Sequence, residues 1–160
     1  HAKGMDIAVD ACAKLVADGL TGFHWYIVGG GPEESALREQ IMRLGLEDCV
    51  SLLGMQSNPY PYIRCADLYV QPSRFEGHCI AVLETRLLAV PIIATRNAAA
   101  EQIDNEKTGL LCESNADSIA AAVMRLYNSP KLRESIQSEL QNHDFERDNS
   151  VILNQLYSLL

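Results

Sequence analysis

Five short apolar segments alternate along the chain with longer segments that have a helical period. These short segments are apolar along most of their length, which is typical of strands buried on both faces of a parallel sheet. Strands that alternate with helices predict an α/β fold, here a doubly wound parallel sheet with helices on both faces. The predicted strands are 23–28, 50–53, 67–71, 91–94 and 110–112.

Helix boundary signals support the same alternation. Gly19 and Gly45 follow helical segments at positions where a left-handed C-cap is common, and Pro32 stands where a helix begins. A chain of 160 residues is long enough to form a single domain with its own core. The predicted helices are 4–19, 33–44, 58–65, 79–89, 99–103, 116–127, 130–141 and 149–159.

The overall charge argues against one class of function. The formal net charge is -8, whereas non-specific nucleic-acid binding depends on basic side chains that neutralise phosphates. The longest apolar run, 87–94, is interrupted by Pro91 and is too short to span a bilayer. We therefore expect no nucleic-acid partner and no membrane-spanning helix, and no signal peptide is recognisable.

The cysteines and histidines lack the spacing of a metal site. The five cysteines never form a Cys-x-x-Cys pair, and the four histidines share no ligand spacing with them or with each other. Scattered single thiols are typical of a reducing compartment. The sequence predicts a cytoplasmic protein with reduced thiols and without a structural zinc site.

The segment from Arg74 to Glu84 is the strongest candidate site. A polar turn with Glu76 and Gly77 joins the third predicted strand to a helix that carries Glu84 about two turns in. A strand end, a glycine turn and a helix N-terminus together form a favourable site for a phosphate. A carboxylate there suits sugar or ribose hydroxyls better, because it would repel a phosphate. The pattern predicts a site for a nucleoside diphosphate linked to a group rich in hydroxyls.

Several residues near the predicted strand ends leave two interpretations open. The turn Gly29-Gly30-Gly31-Pro32 is either a plain tight turn or a loop that lines the site, because acidic residues follow it and Gly-x-Gly-x-x-Gly spacing is absent. His78 is either an acid–base group or a loop residue whose amide matters more than its ring. Lys3 is either a cation for the phosphate or a solvent-exposed side chain. The spacing of Glu76 and Glu84 alone does not support a hydrolytic carboxylate pair.

Taken together, these motifs resemble the donor-binding C-terminal domain of a GT-B-fold retaining glycosyltransferase of the large family-4 type, also described as glycosyl transferases group 1. The central match is Pro72-Ser73-Arg74-Phe75-Glu76-Gly77 followed by Leu83-Glu84, which reproduces the family's two glutamates separated by seven residues. The resemblance covers nearly the whole chain and implies a Rossmann-like sheet. Further matches are Lys3-Gly4, 28–32, 50–54, Ala66-Asp67, 90–95, Glu101 and 108–111.

The resemblance also implies a role for each matched residue. Glu84 would bind the ribose hydroxyls, Glu76 would hold the transferred sugar, and Lys3 would neutralise the diphosphate as it leaves. Such electrostatic stabilisation needs neither a metal nor a cofactor, so the nucleotide sugar would be the only small-molecule partner. The other residues implied to bind the donor are Gly77, His78, Cys79, Ile80, Gly29 and Gly54.

Three positions depart from the family pattern. Ala98-Ala99-Ala100 replaces the glycine pair that precedes the family's acid, here Glu101. Ala89 stands where the family often has glycine, and His78-Cys79 replaces an aromatic–glycine pair.

The resemblance further implies that parts of the enzyme are absent from this sequence. In the family, a strand with a phosphate-binding arginine precedes Lys3, and a separate N-terminal domain binds the acceptor. We expect residues 1–160 to form one donor-binding domain of a two-domain enzyme, and this domain alone should not transfer sugar. Peripheral membrane association is a further expectation for the full-length enzyme. The absent first strand would occupy the centre of a 3-2-1-4-5-6 sheet. Either its neighbours pair directly, something from another chain fills the gap, or the expressed chain differs from this interpretation.

Two other functions were weighed against sugar transfer in polysaccharide biosynthesis. One is a nucleotide-sugar 2-epimerase with the same fold, and the other is a nucleotide-binding α/β module without catalysis. The pair Glu76 and Glu84 at this spacing favours the glycosyltransferase. The sequence does not specify the base, the sugar, the acceptor, the pathway or the oligomeric state.

Overall fold

The computed structural model describes residues 2–77 and 79–142, which contain five strands and seven helices. The strands are β1 (Trp25–Val28), β2 (Val50–Gly54), β3 (Tyr69–Gln71), β4 (Ile92–Thr95) and β5 (Leu110–Cys112). The helices are α1 (Met5–Ala17), α2 (Glu34–Arg43), α3 (Tyr60–Arg64), α4 (Ile80–Leu87), α5 (Arg96–Ala99), α6 (Ala116–Asn128) and α7 (Pro130–Asn142).

The strands form two parallel sheets, in the orders β1-β2 and β3-β4-β5. Trp25 lies opposite Val50 in the first sheet, and Ile93 lies opposite Leu110 in the second. A helix connects each strand to the next, as parallel pairing requires. The parallel α/β fold and all five predicted strands are confirmed, and the strand ends fall within two residues of the prediction.

Within residues 2–77 and 79–142, no strand joins β1 to β3, so one edge of each has no strand partner there. In the expected 3-2-1-4-5-6 order, β1 and β3 are the two neighbours of the first strand that the resemblance implies. The structure therefore excludes one of the three expected outcomes, since these neighbours do not pair directly.

Helix α1 links the two sheets through its buried residues. It contributes to one apolar cluster with strands β1 and β2, and to another with strands β4 and β5. Helix α6 packs against α1 and belongs to the second cluster. The residues of α1 in these clusters are Val9 and Cys12 on the β1-β2 side, and Ala11 and Leu15 on the β4-β5 side.

Three helices end in the same left-handed turn. The predicted C-caps Gly19 and Gly45 are confirmed, with φ angles of 85° and 64°, a conformation that glycine adopts without strain. Helix α4 ends the same way at Ala89, where φ is 54° and the amide of Val90 donates to the carbonyl of Thr85 at 3.3 Å. A side chain is strained in this region, so Ala89 is an unfavourable residue at this position.

Two predicted helices do not match a described helix. The helix predicted at 99–103 is misplaced: α5 begins directly after β4 at Arg96 and ends at Ala99, and 100–102 are turns. The alanines marked that region as helical, but the signal for its start is the extended Thr95 that ends β4. The helix predicted at 149–159 lies outside the described residues. No helix in the described ranges is long and apolar enough to cross a membrane.

Candidate functional site

The candidate site lies where the chain leaves β3 and enters α4, beside residues 2–4. The amide of Arg74 donates to the carbonyl of Ala2 at 2.8 Å, which joins the two segments. Gly4 has a φ of 66°, and a Cβ at this position would lie 2.1 Å from the carbonyl oxygen of Pro72. Only glycine allows this close approach, and it places Lys3 next to the loop.

Lys3 and Glu76 form an ion pair in this site, with 2.7 Å between Nζ and Oε1. The Lys3 side chain is 66% exposed and that of Glu76 is 13% exposed. Burial disfavours the charged carboxylate, but hydrogen bonds from Lys3 and Ser73 outweigh burial and lower the pKa of Glu76. The site therefore contains an ionised, largely buried acid beside an accessible cation.

A chain of buried hydrogen bonds holds the Glu76 carboxylate in place. The hydroxyl of Ser73 donates to Glu76 Oε1 at 2.8 Å, and Gln71 Nε2 donates to Ser73 Oγ at 2.7 Å. The hydroxyl of Tyr69 donates to Gln71 Oε1 at 2.6 Å. Thr95 of β4 donates to the carbonyl of Ser73. These contacts leave Glu76 few alternative positions.

The same loop is attached to α1 through Arg74. Its guanidinium donates to both carboxylate oxygens of Asp6, at 2.7 and 2.6 Å. The hydrogen bond from Arg74 is the main cause of the lowered pKa of Asp6. Bidentate pairs of this kind fix orientation as well as distance, so α1 and the loop are aligned.

The start of α4 is held by Gln102, a residue that the sequence analysis missed. The Cys79 amide donates to Gln102 Oε1 at 2.9 Å, and Gln102 Nε2 donates to the Cys79 carbonyl at 3.0 Å. Cys79 is one of the residues that the resemblance implies to bind the donor, and its amide donates to Gln102 in this structure. Gln102 therefore fixes the backbone of the N-cap residue, although no side chain caps α4 itself. The only sequence signal for Gln102 is that it follows Glu101, which matches the family pattern.

Glu84 lies one turn into α4 and is half-buried. The hydroxyl of Tyr60 donates to Glu84 Oε1 at 2.9 Å. Glu76 is bound by Lys3 and Ser73, so the two glutamates have separate partners. Sequence reasoning placed Glu84 on this helix but about two turns in, and it began the helix earlier than Ile80. It did not identify Tyr60.

The remaining predicted residues fall in two places. Gly77 is exposed, and Ile80, the first residue of α4, is 56% exposed. Gly29 and Gly54 meet at the ends of β1 and β2, where the Gly29 amide donates to the Gly54 carbonyl at 2.8 Å. A Cβ at either glycine would meet no atom within 4 Å, so both border open space. His78 lies outside the described residues.

No group of three or more histidine, cysteine or acidic side chains in the described part of the chain could hold a metal ion. The cysteines among these residues are free thiols. Burial raises the pKa of Cys79, which disfavours a reactive thiolate at the start of α4.

The parallel α/β fold agrees with the GT-B fold that the resemblance implies. The family described as Glycosyl transferases group 1 matches residues 1–129. The chain belongs to this glycosyltransferase family, which confirms the resemblance.

Similar proteins are consistent with this assignment. The lipopolysaccharide core biosynthesis mannosyltransferase LpsB of Rhizobium meliloti is 32% identical over 77% of this chain and 36% of its own length. The structure of HepE from Anabaena in complex with UDP has a TM-score of 0.83 at 24% identity, over 98% of this chain and 44% of that one.

A third similar protein is the C-terminal domain of the group 1 protein LpcC from Francisella tularensis. Its TM-score is 0.79 at 23% identity, and the match covers 93% of this chain and 80% of that domain. The chain spans 36 to 42% of the length of the first curated relatives that it matches.

Proposed function

We propose that the chain is the donor-binding half of a retaining glycosyltransferase, which transfers a hexose from a nucleotide-diphosphate sugar to a glycan or lipid. The observation that carries this proposal is the ion pair of Lys3 with Glu76 at the start of α4, with Glu84 one turn into the same helix. The three side chains offer a cation for a diphosphate and two carboxylates for hydroxyl groups.

Lys3 is suited to the charge that develops during transfer. When the bond between the sugar's anomeric carbon and the diphosphate breaks, the diphosphate gains negative charge. The Lys3 ammonium has three donors, one of which contacts Glu76, and the side chain is accessible to a ligand. The first amides of α4 and its dipole favour negative charge at the same end. This stabilisation requires no metal ion.

Glu76 and Glu84 are suited to neutral, hydroxyl-rich groups. The lowered pKa of Glu76 keeps it ionised at neutral pH, so it accepts hydrogen bonds from sugar hydroxyls. The positive charge of Lys3 offsets the repulsion between the Glu76 carboxylate and the diphosphate. Glu84, further along α4, would accept hydrogen bonds from the ribose hydroxyls.

The names of similar proteins suggest the class of donor and pathway. The HepE structure contains UDP, and LpsB is named as a mannosyltransferase of the lipopolysaccharide core. We infer a uridine-type donor as the first to test, and surface polysaccharide synthesis as the pathway. The full-length enzyme would work in the cytoplasm, peripherally at the membrane.

Calorimetric titration with UDP, GDP, ADP and their sugars tests the proposal. We expect one of them to bind, and Glu84→Gln to weaken that binding by about 1–3 kcal/mol, because the neutral amide accepts ribose hydrogen bonds more weakly. Glu39→Gln makes the same chemical change on the exposed side of α2 and should leave affinity unchanged. No binding of any nucleotide at millimolar concentration would refute the proposal.

A further inference from the structure

Tyr60 is a buried polar residue with no role in the function proposed above. It is the first residue of α3, on the connection between β2 and β3, and is only 5% exposed. Its ring packs in an apolar cluster with Ile63 and Val90. Its amide donates to Asn58 Oδ1 at 3.0 Å, which fixes the start of the helix. The ring therefore has little freedom to move.

The hydroxyl of this fixed ring contacts the acid proposed to bind ribose. Tyr60 donates to Glu84 Oε1 at 2.9 Å across 24 positions of sequence. Burial, with the neighbouring Glu84 carboxylate, raises the pKa of Tyr60 to about 12, so the hydroxyl keeps its proton at neutral pH. A glutamate has three side-chain torsions, and its terminal torsion is broadly distributed unless a partner fixes it. Tyr60 supplies that partner from a rigid position.

We propose that Tyr60 is a positioning residue: it binds one oxygen of Glu84, directs the other to the nucleotide's ribose, and so favours ribonucleotides over 2′-deoxynucleotides. This inference rests on the proposed function, because it assigns Glu84 to the ribose. Tyr60 itself need not touch the nucleotide. Removal of the Tyr60 hydroxyl leaves the Glu84 side chain free to change rotamer, so nucleotide binding must then order it at an entropic cost.

The test compares UDP with 2′-deoxy-UDP, by calorimetry on the whole chain and on Tyr60→Phe. If GDP or ADP binds more tightly than UDP, that nucleotide and its 2′-deoxy form are used. We expect the unmodified chain to prefer the ribonucleotide about tenfold, and Tyr60→Phe to lose about fivefold in affinity for it. Affinity for the deoxynucleotide should change by less than about twofold, because one of the hydroxyls that Glu84 binds is already absent.

Two controls separate positioning from folding. Phenylalanine fills the volume of tyrosine, so Tyr60→Phe should retain the packing of its cluster, and its melting temperature is measured alongside. Tyr62→Phe removes a hydroxyl from the same helix that contacts Gln56 rather than Glu84, and should leave both affinities unchanged. In a Glu84→Ala background, Tyr60→Phe should cause no further loss, because its effect acts through Glu84.

The outcomes distinguish this inference from the proposed function. An unchanged preference in Tyr60→Phe, or an equal loss for both nucleotides, overturns the positioning role alone. An additional loss in the Glu84→Ala background also overturns it. If the unmodified chain binds none of the nucleotides, the proposed function is overturned and this inference with it.

Discussion

Gly4 holds Lys3 against the loop after β3, so we expect Gly4→Ala to weaken nucleotide binding. The Cβ of alanine would lie 2.1 Å from the carbonyl oxygen of Pro72, whereas real Cβ contacts essentially never fall below 3.0 Å. The two backbone segments must therefore separate by about 0.9 Å. Lys3 is the adjacent residue, so a shift of that size would lengthen or reorient its 2.7 Å contact with Glu76.

The expected loss follows from what Lys3 contributes. A hydrogen bond to a charged group contributes about 1.5–3 kcal/mol. The lower end applies because Lys3 is 66% exposed and its charge is screened by solvent. We therefore expect Gly4→Ala to reduce affinity for UDP about tenfold, measured by calorimetry.

Gly22→Ala is the matched control. Gly22 also has a left-handed conformation, with φ of 72°, but a Cβ there meets no atom within 4 Å. Both substitutions should lower the free energy of unfolding by about 1–2 kcal/mol, because both force alanine into the left-handed region. Gly4→Ala should lower it further, because only its Cβ meets the Pro72 carbonyl. Only Gly4→Ala should also weaken nucleotide binding. Unchanged UDP affinity in a folded Gly4→Ala variant would refute the reasoning.

Two further predictions concern stability. Ala89→Gly should raise the free energy of unfolding by about 0.5–1 kcal/mol in urea titrations, because glycine relieves the positive φ that ends α4. Ala122→Gly, the same change within α6, should lower it by about 1 kcal/mol; a loss of stability in both variants would contradict this explanation. Lys3→Met should destabilise the chain at neutral pH. The pKa of Glu76 in the folded chain is below its ordinary value of 4.5. The contribution of the Lys3–Glu76 pair to the free energy of unfolding is therefore complete above pH 4.5 and is lost as the pH falls through the folded pKa. A difference in stability that persists unchanged in strong acid would contradict that origin.

The strands were predictable because the physical cause of their formation is local. Every residue of β4 is buried, and a strand covered on both faces is apolar along most of its length. Its one polar residue, Thr95, donates to the Ser73 carbonyl. The helix C-caps at Gly19 and Gly45 were predictable for the same reason, since a left-handed turn selects glycine locally. The start of α5 was missed because the alanines after it favour helix at every position and do not define a boundary.

The site was predicted only as far as its motif extends. Glu76 and Glu84 were located because the turn and the helix that carry them are continuous in sequence. Their supports are not: Tyr60 contacts Glu84 across 24 positions, and Gln102 contacts Cys79 across 23. Neither a tyrosine in a short helix nor a glutamine after an acid signals a distant partner. Such contacts depend on how the elements pack, which no local pattern specifies.

The position of α1 has a mechanical consequence for the site. This helix supplies buried residues to the clusters of both sheets, and Lys3 and Gly4 directly precede it. Its residue Asp6 is also bound to the loop that carries Glu76. A tilt of α1 that changed the spacing of the two sheets would therefore also move the ammonium relative to the carboxylate. The helix therefore couples the core to the site mechanically. A change of packing at Cys12, about two turns into α1, would alter the distance between the Lys3 ammonium and the Glu76 carboxylate.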